Sequence, residues 1–284
     1  MSDLDLIKEL REKTGAGFLD CKNSLKENNN NIEKSIDSLR KKGLAKATKK
    51  SSREAKEGAV GFFSNDNISI ILKINSETDF SAKSDTFLDF LDLVGNIALK
   101  QNDKSLSLEN FLNIKDDNKS ISDLLTEMIA KIGENLIIND LKIFSNKELS
   151  VNFYIHNPYR KNIGKIVSAV FFYSDNKNED ITTFSKNICM HIAASKPEAM
   201  DIDQLSSTVI ENEKKIQQEM IQDSGKPSNV MEKILKGKMK KYYSEVTLLN
   251  QNFVIDPDKT IKEAINDFNS LNKFDLKSYA LISL

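Results

Sequence analysis

Over the first 43 residues the apolar positions recur every three or four residues. They fall in three groups: Leu4, Ile7 and Leu10; Phe18, Leu19 and Leu25; Ile32, Ile36 and Leu39. That period predicts three short helices. Ser2 or Asp3 caps the first, and Gly15 stops it. The Gly15-Ala16-Gly17 turn opens the second helix, Asn31 caps the third and Gly43 ends it. Beyond Gly58 the pattern changes to strands. Residues 60–64 and 68–74 flank the polar turn Asn65-Asp66-Asn67 and predict a hairpin. A polar loop over 75–84 follows. Helical spacing returns at Phe87, Leu91, Val94 and Ala98. It appears again at Leu124, Leu125, Met128, Ile129 and Ile132, where Gly133 is the stop and 136–144 reads as a strand.

A similar order occupies the second half. Residues 149–155 and 163–173 read as a hairpin around a long loop holding His156, Asn157 and Pro158. A helix over 181–194 and a last strand over 276–284 complete it. Two helical stretches, 206–223 and 230–243, interrupt this copy. Each has only a narrow apolar seam, so they predict an antiparallel helical hairpin projecting from the body, turned at Ser224-Gly225-Lys226-Pro227. The fold class is α+β: a small helical bundle, then two subdomains of similar plan.

Charge narrows the function classes. Lys and Arg number 41 and Asp and Glu 42 in 284 residues, a net charge of −1. No overall field draws this chain to nucleic acid or a membrane. The local exception is 40–56, with Arg40, Lys41, Lys42, Lys46, Lys49, Lys50, Arg53 and Lys56. It reads as a site for an anionic partner such as RNA or, preferably, as a solvated and partly helical linker. No apolar run approaches the ~18 residues of a membrane span. The charged start lacks a signal core, which leads to the expectation of a reducing, cytoplasmic setting.

Candidate chemistry is sparse. Cys21 and Cys189 form no C-x-x-C pair, and the histidines are His156 and His191. On a helix, Cys189 and His191 face different sides, so they share no metal. Gly15-Ala16-Gly17 has Asp20 where a dinucleotide fingerprint needs a third glycine. Ser224-Gly225-Lys226-Pro227 has Pro where a phosphate loop needs Ser or Thr. A cysteine hydrolase using Cys21 or Cys189 is the remaining enzyme alternative. No catalytic residue, metal site or cofactor is expected.

Five motifs then carry a resemblance. They are Lys13-Thr14-Gly15-Ala16-Gly17 with Asp20-Cys21-Lys22; Thr78-Asp79-Phe80-Ser81-Ala82-Lys83; Lys131-Ile132-Gly133-Glu134-Asn135; His191-Ile192-Ala193-Ala194-Ser195-Lys196-Pro197; and Ser224-Gly225-Lys226-Pro227. In this order and spacing the chain resembles the bacterial elongation factor Ts family. The resemblance implies a ubiquitin-associated-like three-helix domain with its linker over 1–54. It implies a core of two α+β subdomains with antiparallel sheets over 55–145 and 146–284. The second is interrupted by a coiled-coil hairpin over 206–243.

It also implies a non-catalytic guanine-nucleotide exchange factor for elongation factor Tu in translation elongation. The partner would be bound in its GDP-bound and nucleotide-free states, with no direct nucleic acid or membrane contact. Thr78, Asp79, Phe80 and Ser81 would dislodge the partner's Mg²⁺. Cys21, Lys22, Ile132, Gly133 and His156 would touch the partner. Two departures stand out. Ser81 replaces a frequent Val, and Leu284 falls where many relatives continue into a further helical tail.

Overall fold

The computed structural model describes residues 2–175, 178–222 and 227–284, with the side chains of Leu44, Lys46 and Gln222 outside the description. Of the expected hairpin-tip motif only Pro227 lies within the described residues. The chain divides into two compact units. One comprises Met1–Ser145, Asn157–Lys165 and Ile282–Leu284, and the other Asn146–His156 and Ile166–Leu281.

The first unit opens with α1 (Asp3–Thr14), α2 (Phe18–Glu27) and α3 (Ile32–Lys50). Ser2 and Asp5 form a capping box on α1, and Gly15 ends it at φ 65°. Asn31 caps α3 by accepting from the Lys34 N–H. Ile7, Leu10, Cys21 and Leu25 form the small core of this bundle. Ser24 and Ser35 lock α2 to α3 by donating each hydroxyl to the other's carbonyl, at 3.0 and 3.2 Å.

Gly43 does not end the third helix. α3 continues through it to Lys50, because a position without a Cβ is what the neighbouring helix requires. A Cβ on Gly43 would come within 3.2 Å of Ala130 Cβ on α7 (Ile121–Ile132). The basic stretch is therefore helical as far as Lys50 and largely engaged within the chain. Arg40 pairs with Asp123, Lys42 with Glu27, Arg53 with Glu77 and Lys56 with Glu54, and Lys50 donates to the Gly133 carbonyl.

The remaining elements of this unit are β1 (Glu57–Ser64), β2 (Ile68–Ser76), α4 (Asp79–Ala82), α5 (Asp85–Gln101), α6 (Leu108–Leu112), β3 (Lys115–Asp116), β4 (Lys119–Ser120) and β5 (Leu136–Ser145). β2 is the middle strand, antiparallel to β1 on one side and β5 on the other, with a register shift at Lys73/Ile74. Ile163 and Gly164 pair with the free edge of β1. Ile68, Ile70, Leu72 and Ile74 point from β2 into one core with Phe87, Leu91 and Val94 of α5, which is the two-residue period of a strand. Asp85, Asp89 and Asp92 line the outer face of α5. Arg160 relieves their mutual repulsion at 3.5, 2.7 and 2.8 Å.

The second unit contains β6 (Ser150–Arg160), β7 (Ile163–Tyr173), α8 (Glu179–Ser195), α9 (Ser207–Gln222), α10 (Ser228–Val246), β8 (Asn252–Phe253), β9 (Asp256–Thr260), α11 (Ile261–Phe268) and β10 (Asp275–Ser283). β6 and β7 each reach into the first unit's residues, and β10 ends there. The expected long loop is absent. His156, Asn157 and Pro158 lie inside β6, and only residues 161–162 turn the chain. Among the described strands β6 pairs with β7 alone, and an edge strand tolerates a residue without an N–H.

The core of this unit joins Val170, Ile188, Cys189, Leu248 and Phe274. Phe184 stacks on Phe268 with ring centres 4.1 Å apart. The hairpin helices leave and return at one place, since Glu198 N donates to Val246 O and Leu248 N to Ala199 O. Val209, Ile216, Met220 and Val230 on α9 and α10 remain exposed, as a thin helix pair leaves them. Taken together the chain is α+β with antiparallel strand pairing. Among the described residues no helix is long and apolar enough to cross a membrane.

Two buried features generate predictions. Gly95 on α5 lies against Phe63, and a Cβ there would sit 2.2 Å from the ring. Gly95→Ala is expected to lower stability by about 1–3 kcal/mol, read by urea unfolding, because the buried Phe63 ring must shift to admit the methyl group. His191 on α8 is buried. Its Nε2 lies 2.9 Å from Gln251 Oε1, and its Nδ1 accepts from the Val254 N–H. Burial pushes its pKa below the ordinary value. The unfolded imidazole, titrating at about 6.5, then binds more protons than the folded one below that pH. Stability is full above about pH 6.5 and falls as the pH drops toward the lowered folded value. His191→Gln should flatten that limb in unfolding midpoints measured between pH 7 and 5.

Candidate functional site

The segment expected as a loop over 78–81 contains one helical turn. Thr78 is extended, at φ −125° and ψ 155°, and its side chain caps α4 by accepting from the Ser81 N–H at 3.2 Å. Asp79 accepts from Lys83 Nζ at 2.7 Å. The Lys83 ammonium holds its carboxyl below the usual carboxylate range. Phe80, on the next position, is 85% exposed. A large aromatic standing clear of its own core on a capped turn is an exposed apolar group without an internal pocket. Ala82, two residues on, is fully buried. The helical turn therefore exposes Phe80 on one side and buries Ser81 and Ala82 on the other.

Ser81 faces the core. It is 7% exposed, and its hydroxyl has no hydrogen-bond partner among the described residues. Ser81, the fourth residue of the segment that the resemblance assigns to Mg²⁺ displacement, thus sits on the inner side of the turn. A Val at this position would fill the same inward site without a stranded hydroxyl.

Opposite α4 lies the turn between α7 and β5. Ile132 is half-buried, and Gly133, at φ 86°, caps α7. Two carboxylates cross between the segments. Glu134 accepts from Thr78 N at 3.0 Å with one oxygen and from Thr78 Oγ1 at 2.7 Å with the other. Glu77 accepts from Asn135 N at 2.6 Å. Each glutamate thus holds the backbone of the residue that follows the other. Arg53 adds its guanidinium at 3.5 Å from Glu77, while its carbonyl accepts from Asn135 Nδ2.

The helical bundle reaches the same place. A Cβ on Gly15 would meet Lys131 Cδ at 3.1 Å. Gly15, Ser81, Ser84, Lys131, Ile132 and Glu134 line a shallow depression of about 410 Å³. A second cavity, about 190 Å³, lies between the bundle and α7, with Arg40, Asp123 and Lys131 on its walls.

The structure therefore brings Thr78, Asp79, Phe80, Ser81, Ile132 and Gly133 into one neighbourhood. Lys22 is exposed on α2. Cys21 is fully buried, with its thiol toward the Ala16 carbonyl at 3.7 Å. The Cys21 side chain packs in the core of the bundle and shapes the turn before α2 from inside. His156 is exposed on β6, its Nδ1 3.2 Å from Tyr154 Oη.

Glu77 and Glu134 are the residues that sequence reasoning passed over. Glu77 precedes the second motif and Glu134 lies inside the third, but 56 and 58 residues separate the bonded groups, and no periodicity signals such a pairing. As for covalent chemistry, both thiols are buried and burial pushes both pKa values up. That makes them inert thiols, not activated nucleophiles.

Removing the Glu134 carboxylate should free the α4 cap. Glu134→Ala is expected to cost about 1 kcal/mol, since the bonds are partly solvated. It should speed hydrogen exchange at the Thr78 amide. Glu134→Gln, which keeps one acceptor oxygen, should fall between the two. An unchanged Thr78 exchange rate in Glu134→Ala would remove the clamp from this account.

The comparisons with known proteins fit this arrangement. A family model described as Elongation factor TS matches residues 77–283. Elongation factor Ts of Allorhizobium ampelinum is 39% identical over 262 residues, covering 92% of this chain and 85% of that protein. Elongation factor Ts of Rhizobium meliloti matches to the same extent, and that of Brucella anthropi is 38% identical over the same shares. By the match through α4, the α7–β5 turn and the second unit, the chain belongs to the elongation factor Ts family.

Proposed function

We propose that this protein is a guanine-nucleotide exchange factor for elongation factor Tu, acting in translation elongation in the cytoplasm. It promotes GDP release by displacing the partner's Mg²⁺ and loosening the nucleotide site. It acts by binding, without bond chemistry of its own. The observation that carries this reading is Phe80, 85% exposed at the head of a turn whose cap is fixed by Glu134.

An exchange factor must favour the loosened GTPase over the nucleotide-bound form, and the coupling is reciprocal: GDP weakens the factor as much as the factor weakens GDP. Mg²⁺ is the sensitive point, because it demands near-ideal octahedral geometry and holds few protein ligands. A rigidly mounted aromatic that enters beside the metal site shifts those ligands without needing to touch the nucleotide. Asp79, ionised through Lys83, brings a negative charge that competes for donors near the metal.

The remaining parts divide the work. The ubiquitin-associated-like bundle and linker over 1–54 dock on the partner through the start of α2 at Cys21 and Lys22. Ile132 and Gly133 flank the wedge. His156, from the core subdomain over 146–284, adds a separate contact. The first core subdomain, 55–145, carries the wedge. The α9–α10 pair, inserted over 206–243, is an antiparallel coiled-coil hairpin peripheral to nucleotide release.

The test is release of fluorescent GDP from elongation factor Tu with and without this protein. Phe80→Ala should stay folded, since the ring contributes little to its own core. It should lose about 30-fold in the acceleration of release, the effect of truncating an interface anchor worth ~2 kcal/mol. Chelating Mg²⁺ should shrink the gap between wild type and variant. A folded Phe80→Ala that releases GDP at the wild-type rate would refute the wedge.

A further inference from the structure

α10 carries Lys233, Lys236, Lys238, Lys240 and Lys241 against Glu232 and Glu245. At about 100° per residue, Lys233, Lys236, Lys240 and Lys241 fall on one side of the helix with Gly237 between them. The two glutamates lie about 100° or more from Lys233. Leu235 lies opposite the ridge, with Met239 on one flank and Ile234, close in angle to Lys241, on the other. Met239 is buried and the other two half-buried, as the seam toward α9 requires. The four lysines of the outer ridge are all exposed. Among the described residues Lys233, Lys236 and Lys240 form no ion pair, and Lys241 has only Glu245, at 3.7 Å. This contrasts with α3, where Arg40, Lys42 and Lys50 are engaged within the chain.

The ridge is costly to the helix that bears it. Like charges three and four residues apart repel, and a glycine in an exposed helix interior is a poor helix former. No neighbour dictates that glycine, since a Cβ on Gly237 would meet nothing within 4 Å. Two local penalties on one face, without an internal reason for either, mark a surface shaped for something outside the chain.

We propose that this ridge binds the phosphate backbone of a nucleic acid strand. The face carries four exposed ammonium groups and a single exposed aliphatic side chain, Val230, at its start, short of the aromatic or clustered apolar anchors on which a protein partner's hot spot is built. A lipid surface would need the apolar side of the helix, which is turned to α9. Lysines along about 10 Å of helix axis match a chain of phosphates, which are held by cations without base reading. Gly237 is a notch that admits a phosphate between the four ammonium groups. The net charge of −1 over the whole chain hides this face, and the expectation of no direct nucleic acid contact rested on that average.

The test uses the full chain and a short fluorescein-labelled oligouridylate, followed by anisotropy across salt concentrations. Wild type should bind with a log–log salt slope of about −3, the value for four phosphates on a single strand. Lys233→Glu with Lys236→Glu and Lys240→Glu should weaken binding at least about tenfold and flatten the slope, with thermal unfolding unchanged. Gly237→Ala should raise helix stability while weakening binding. Lys41→Glu with Lys49→Glu, on α3, should leave binding as it is. Any of three results overturns the proposal: no salt-dependent binding by wild type, a triple variant that binds as wild type does, or preference for phosphatidylserine vesicles over the oligonucleotide.

Discussion

Two carboxylates that cross between separate turns govern this structure. Glu77 holds the amide after Glu134, and Glu134 holds the amide after Glu77. Neither turn is long enough to be rigid alone: α4 has four residues, and the α7–β5 connection rests on a glycine in the left-handed region. Tied together, they become one platform. Lys50 and Arg53 bring the end of α3 onto it. The exposure of Phe80 has meaning only because the platform beneath it is fixed. A free aromatic on a flexible loop would fold back onto apolar surface.

Ser81 and Cys21 are motif residues that are buried beside exposed neighbours. A buried small side chain sets how closely a helix or turn approaches its support, and so sets the angle at which the next residue emerges. Phe80 and Lys22, one position away in each case, are the residues that emerge. Adjacent positions of a motif thus divide between an exposed side chain and the packing that supports it.

The sequence made the regular elements legible where apolar period and caps agreed. The hairpin at Asn65-Asp66-Asn67, the caps at Asn31 and Gly133, and the middle strand of the first sheet all follow from local chemistry. Gly43 misled because a glycine reads as a stop when the reason for it is Ala130, a neighbour 87 positions away and invisible to local pattern. Pro158 misled because an edge strand accepts what an inner strand refuses. α11 escaped notice through its shortness, although Thr260 and Glu263 form a capping box that was readable. In the site, Phe80 was legible as an aromatic in a polar segment. The glutamate clamp was not, since its partners meet only after folding. Cys21 was readable as core, one helical turn before Leu25 on the same face.

The unbroken course of α3 has a consequence for how this molecule is taken apart. Its basic composition and its glycine suggest a joint near residue 43, where a designer would cut to obtain a separate head and body. The helix instead passes through that point and lays its second half along α7, so the seam in the sequence is the middle of a beam. A cut there would unroof the body it was meant to isolate, baring the flank of α7 that Gly43 lies against. Head and body share one strut, and any property assigned to the body alone has to be measured with that strut in place.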